Sequence, residues 1–147
     1  VTTSHRFPLA QVLRVREIVA DREEQALERI VAEIVRVRGS IERVDRAMET
    51  ALASRERDLN TSMPGGHLHA ACGHADLLRR HRSEMIQQLG RLEAERTVQT
   101  RAWEAAHRNR EVLTGMRDEQ QAAWRLAQSR AEQRSADESF LSRFHAN

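Results

Sequence analysis

The chain has no lysine and no tyrosine, one cysteine and two prolines in 147 residues, and aromatic side chains make up only 3% of it. Each shortage excludes something. With so few large rings, a globular core of ordinary size is out of reach, yet a hydrophobic fraction of 39% is too high for a disordered chain. A lone Cys72 closes no intrachain disulfide and leaves the redox compartment open. No apolar run approaches the roughly 18 residues that a membrane span needs. The opening Val1-Thr2-Thr3-Ser4-His5-Arg6-Phe7 has no signal-peptide core, so the cytosol is the default expectation, and a start at valine points to a non-standard initiator or a trimmed chain.

The missing prolines matter most. Proline breaks a helix interior because it lacks the N–H and its ring clashes with the preceding turn. Pro8 and Pro64 leave two long stretches with no such breaker. Pro64 lies in Asn60-Thr61-Ser62-Met63-Pro64-Gly65-Gly66, the strongest turn cluster of the sequence.

What is present is charge and period. Charged residues make up 31% of the chain, and all 24 basic residues are arginine. Up to Gly65 there are 11 arginines and 11 acids, and the remainder has 13 and 11. No segment is a basic arm, so the footprint of a nucleic-acid binder is absent and nucleic acid is not an expected partner. Leu27, Ile30, Ile34, Val37, Ile41, Val44, Met48 and Ala51 alternate spacings of three and four, which is a coiled-coil seam. Backwards the register runs through Glu23, Ala20, Arg16, Leu13 and Leu9, with polar interruptions. The second stretch carries a weaker seam through Ala71, Ala75, Leu78, Arg82, Met85, Leu89 and Leu92, then Trp103, Ala106, Leu113, Trp124 and Ala127.

These patterns predict an all-α fold: an antiparallel two-helix coiled-coil hairpin forming one unit over 1–147. Helix one is expected over about 8–58, the turn over about 59–67 and helix two over about 68–143. At about 1.5 Å per residue the first helix spans roughly 75 Å and the second roughly 110 Å. Folding about Pro64 would bring Leu9 to about residue 119, so helix two is expected to protrude without a partner beyond about Gln120. Its Arg130–Glu138 stretch is polar almost all round, and an isolated helix of that kind is marginal in water.

Few residues suggest chemistry. His67, His69, Cys72, His74 and His81 follow the turn, but their spacing matches no closed four-ligand zinc pattern, so they read as turn and helix-start residues and no metal or other cofactor is expected. There is no glycine-rich phosphate loop and no nucleophile elbow, so an enzyme has nothing to stand on. Trp103 and Trp124 lie three heptads apart on one face. They are expected to pack in the seam, Trp103 against 21–26 and Trp124 against Phe7, with Trp124 as a partner anchor in the alternative. Ile18, Val31 and Val35 lie outside the seam, either as scattered exposed side chains or as a second docking stripe.

Several segments resemble one family in order along nearly the whole chain. Phe7-Pro8-Leu9 with Val12-Leu13-Arg14-Val15-Arg16-Glu17 is similar to the N-terminal pattern of the flagellar export protein FliJ. Leu59-Asn60-Thr61-Ser62-Met63 resembles its turn, Arg101-Ala102-Trp103-Glu104 with Arg108–Leu113 resembles its tryptophan stretch, and Arg130–Glu138 resembles its closing segment. The resemblance implies a stalk similar to that of rotary ATPases, working in flagellar type III export. The implied partners are the hexameric export ATPase, the cytoplasmic domain of the export gate and the export chaperones, with the chain held at the inner face of the membrane through them. It implies gate contact at Val44, Met48, Ala51, Arg55, Leu78, Arg82, Met85 and Leu89, where the tyrosines of enterobacterial members are missing. It implies ATPase-ring contact at Trp124, Arg130, Arg134, Asp137 and Glu138.

The function expected is thus a non-enzymatic stalk and adaptor. The alternatives are the matching stalk of a virulence secretion system, a generic coiled-coil scaffold and, least favoured by the balanced charge, an RNA-binding hairpin arm.

Overall fold

A computed structural model describes residues 4–61 and 65–146, and the expected turn residues Ser62, Met63 and Pro64 lie outside the described residues. The fold is all-α, a helical hairpin of α1 (Ala10–Leu59) and α2 (Gly65–His145), with no strand among the described residues. Helix α1 begins two residues after Pro8, where the Ala10 amide donates to the Phe7 carbonyl at 3.2 Å and the Leu13 amide to the Leu9 carbonyl at 2.8 Å. The Ala10 bond satisfies one orphan donor of the first turn, the Leu13 bond is the first regular i→i−4 bond, and the N–H that Pro8 lacks would have no intrahelical partner. It ends in a tightening turn, with the Asn60 and Thr61 amides donating to the Arg57 and Asp58 carbonyls at 3.2 and 3.3 Å. Helix α2 starts at Gly65, three residues before the expected position. No glycine has positive φ, so Gly65 and Gly66 join the first turn instead of breaking it.

The chain divides into two compact units, and both helices contribute to each. The turn-side unit is residues 24–102. Its core is Val37, Val44 and Met85, with Ile41, Met48, Leu78, Leu89 and Leu92 packed against them. Met48 and Leu78 lie towards the turn, Val37 and Leu92 away from it, which is the antiparallel register that the seam requires. Every residue of the Leu27–Ala51 seam is buried or half-buried, with Ile34 and Val37 each only 1% exposed. Arg82 and Asp45, and Arg38 and Glu93, bridge the two helices at 2.6 and 2.9 Å. On α1 itself, Arg36 pairs with Glu33, and its hydrogen bond pulls the Glu33 carboxyl below the ordinary range.

The terminal unit is residues 1–23 and 103–147. Phe7, Leu13, Ala20 and Ala106 are its buried side chains. Trp103 and Trp124 are both half-buried. Trp103 stacks on His107 one turn along, with ring centroids 5.2 Å apart. Trp124 meets the His5 ring at 5.9 Å, tilted by 35°. Packing along α2 therefore continues past Gln120, because the non-helical segment before Ala10 reaches further than a helix of the same residues. Beyond the half-buried Gln128, every described residue to Ala146 is exposed. The second stripe is divided: Val31 is half-buried, while Ile18 and Val35 are exposed.

Candidate functional site

The turn-side unit thins out towards the turn. From Ala70 to Ala75 helix α2 reads Ala-Ala-Cys-Gly-His-Ala, and Ala47, Ala51 and Ala53 lie on α1. Small side chains at the seam leave it unfilled, and a groove results. Three depressions of about 250, 220 and 660 Å³ lie along the helix pair. The first two share Arg55 and Ala71, and the second and third share Met48, Glu49 and Arg79, so neighbouring depressions adjoin as a groove.

Its floor is Met48, Ala51, Ala71 and Ala75. Its apolar walls are Leu52 and Leu59 from α1, and Leu68 and Ile86 from α2. All four leucine and isoleucine walls are exposed, Leu52 at 58% and Leu59 at 62%. The spacing explains the side: Leu52 and Leu59 are seven apart, as are Leu68 and Ala75, so each pair stays on one stripe of its helix. Arg55 stands mid-groove, half-buried, with no hydrogen-bond or ion-pair partner among the described residues. Arg79 and Arg82 are engaged with Asp76 and Asp45.

The expected gate residues distribute unevenly on this surface. Val44 and Met85 are buried in the core, and Leu78 and Leu89 are half-buried against it. Met48, Ala51, Arg55 and Arg82 line the groove. Leu52, Leu59, Leu68 and Ile86 escaped the sequence reading because they sit beside the seam, not on it. The signal for them was the run of small residues opposite, which shortens the seam and uncovers its flank.

The expected ring residues fall in the terminal unit. Trp124 is engaged with His5, whereas Arg130, Arg134, Asp137 and Glu138 are all exposed. Arg134 Nε donates to the Arg130 carbonyl at 3.4 Å, a contact within the helix. The same tail ends in an apolar cluster that its polar composition concealed. Phe140 and Phe144 stack with centroids 6.4 Å apart while 68% and 73% exposed, and Leu141 lies beside them.

His67, His69, His74 and His81 are exposed and Cys72 is half-buried. Among the described residues no three histidine, cysteine or acidic side chains converge to hold a metal. No helix among them is long and apolar enough to cross a membrane.

The two long packed helices define an all-α helical hairpin. A family model narrows this: residues 5–147 match that of the flagellar FliJ protein. The chain belongs to the FliJ family and is a component of the flagellar protein export apparatus. Comparison with curated proteins and with solved structures finds no match.

Proposed function

We propose that this chain is a non-enzymatic stalk and adaptor that couples the hexameric export ATPase to the export gate and handles export chaperones. It works at the inner face of the membrane, held there by its partners. The family match over 5–147 is the observation that carries the reading. Two surfaces support it. The exposed tail after Gln128, with Arg130, Arg134, Asp137 and Glu138 and the Phe140–Phe144 pair, suits a ring contact in which another protein supplies the missing packing. The groove through Met48, Ala51 and Arg55 suits the gate cytoplasmic domain. Two contacts on one chain are what an adaptor requires.

A stalk assembles and orders a ring without lending it catalytic groups. The chain alone should therefore show no ATP turnover, and adding it to the purified export ATPase should raise the ring's rate. An unchanged rate across saturating concentrations would refute the coupling role.

A further inference from the structure

In the terminal unit, α2 carries a second apolar stripe, apart from the seam that meets α1. Val112, Met116, Ala123, Leu126, Phe140 and Phe144 keep to alternating steps of four and three, and Glu119, Arg130, Gln133 and Asp137 fill the remaining steps. The seam through Ala106, Leu113 and Trp124 lies on a different face of the helix. Every position of the second stripe is exposed, Val112 at 63% and Phe144 at 73%. A stripe with coiled-coil spacing suits another helix, which brings its own backbone groups already bonded.

The charges on the stripe select the occupant. Glu119, Arg130 and Asp137 lie on it and Arg108 lies beside it, all exposed and without a side-chain partner among the described residues. Two copies laid antiparallel, with Glu119 of one opposite Arg130 of the other, also bring Ala123 opposite Leu126 and Ala105 opposite Phe144, small against large. Asp137 then falls opposite Val112, one turn from Arg108, so every charge on the stripe meets its opposite. Sliding the copies by a heptad sets Glu119 against Asp137 in one direction and Arg130 against Val112 in the other. Parallel pairing sets each charge against its own kind, which is costly.

We propose that this stripe receives a second copy of the chain, the two α2 helices pairing antiparallel over residues 105–144 with Glu119 and Arg130 as reciprocal ion pairs. The tail of each copy, exposed from Ser129 onward, then lies along the 105–124 part of the other and gains the packing that its own chain does not give it. Half of the layers set an apolar side chain against a polar one, as Met116 against Gln133, so the pair forms on the order of ten micromolar and dilute chain stays single. Pairing covers Arg130, Asp137, Phe140 and Phe144, so a paired chain cannot offer them to the ATPase ring.

The test is sedimentation equilibrium of the full chain up to about 200 micromolar, well above the expected dissociation constant. The parent should pass from one copy to two as its concentration rises. Glu119→Arg and Arg130→Glu should each weaken pairing by about tenfold or more, because each sets two pairs of like charges face to face. The double variant carrying both changes should pair as the parent does, since each copy again offers both signs. Leu126→Glu should also weaken pairing, whereas Val35→Glu, exposed on α1, should not. All these sites are exposed, so the melts of dilute variants should stay near that of the parent. A nitroxide on Ser142→Cys in a Cys72→Ala chain reports direction by the spin–spin distance. Antiparallel pairing in this register puts the two labels about 50 Å apart, and parallel pairing about 10 Å. A parent that remains single at every concentration overturns the inference and leaves the ring reading untouched. A dimer indifferent to the charge reversals, a double variant that is not restored, or a short label distance overturns it equally.

Discussion

Arg82 of α2 donates from Nε to Asp45 Oδ1 of α1 at 2.6 Å, across the edge of the groove. Both side chains are about two-fifths exposed, so water screens the pair. Its part is to fix register where the apolar seam gives way to alanines. A double-mutant cycle with Arg82→Ala and Asp45→Ala should give a coupling of no more than about 1 kcal/mol by thermal or urea unfolding. A larger coupling would mean that the pair is part of the core.

Residues on and beside the seam should rank by burial. Ile34 is fully buried, Ile41 half-buried and Val35 mostly exposed. Ile34→Ala should cost about 2–5 kcal/mol, Ile41→Ala less, and Val35→Ala about 0.5 kcal/mol or less. Asp at Ile34 should largely unfold the turn-side unit. Urea titration followed by circular dichroism gives the order, and equal costs at Ile34 and Val35 would contradict it.

The Glu33–Arg36 pair sets a small pH dependence. The hydrogen bond from Arg36 lowers the Glu33 pKa in the folded chain. A lowered carboxyl pKa adds stability that is present above the unfolded carboxylate range and lost as pH falls through the folded value. The side chains of Arg36 and Glu33 are 60% and 38% exposed, so water screens the pair and the effect is slight. Melts of the parent and of Glu33→Gln should differ little at neutral pH and converge in acid. A parent that gains on Glu33→Gln as pH falls would reverse the sign.

Trp124 separates packed from unpacked helix. It meets His5, so Trp124→Ala should lower the melting temperature of the terminal unit. Phe140→Ala and Phe144→Ala should not, because both rings are exposed. Differential scanning calorimetry distinguishes the two classes.

How much was legible follows from what the seam encodes. Unbroken three–four spacing from Leu27 to Ala51 reports burial directly, and each of those residues is covered. The helix start at Gly65 was missed because glycine is a poor helix former within a helix but costs little in its first turn. Packing on α2 reaches Trp124, past the expected limit at Gln120, because His5 and Phe7 precede the helix, and a non-helical segment has no period to read. Val44 and Met85, expected at the gate from the resemblance, are legible as apolar, but apolar spacing cannot tell a core side chain from a docking one. The groove was invisible for the opposite reason: it is made by the smallness of Ala51, Ala71 and Ala75, and alanine fits seam and surface alike.

The central claim is that one chain carries two separate contacts, a ring contact on the tail and a gate contact near the turn. Deleting residues 129–147 tests it most directly, since every described residue from Ser129 onward is exposed and few buried contacts are lost. The truncated chain should melt as the full chain does, lose association with the export ATPase in a pull-down, and keep its affinity for the gate cytoplasmic domain. Retained ATPase binding, or loss of both partners together, would contradict the account.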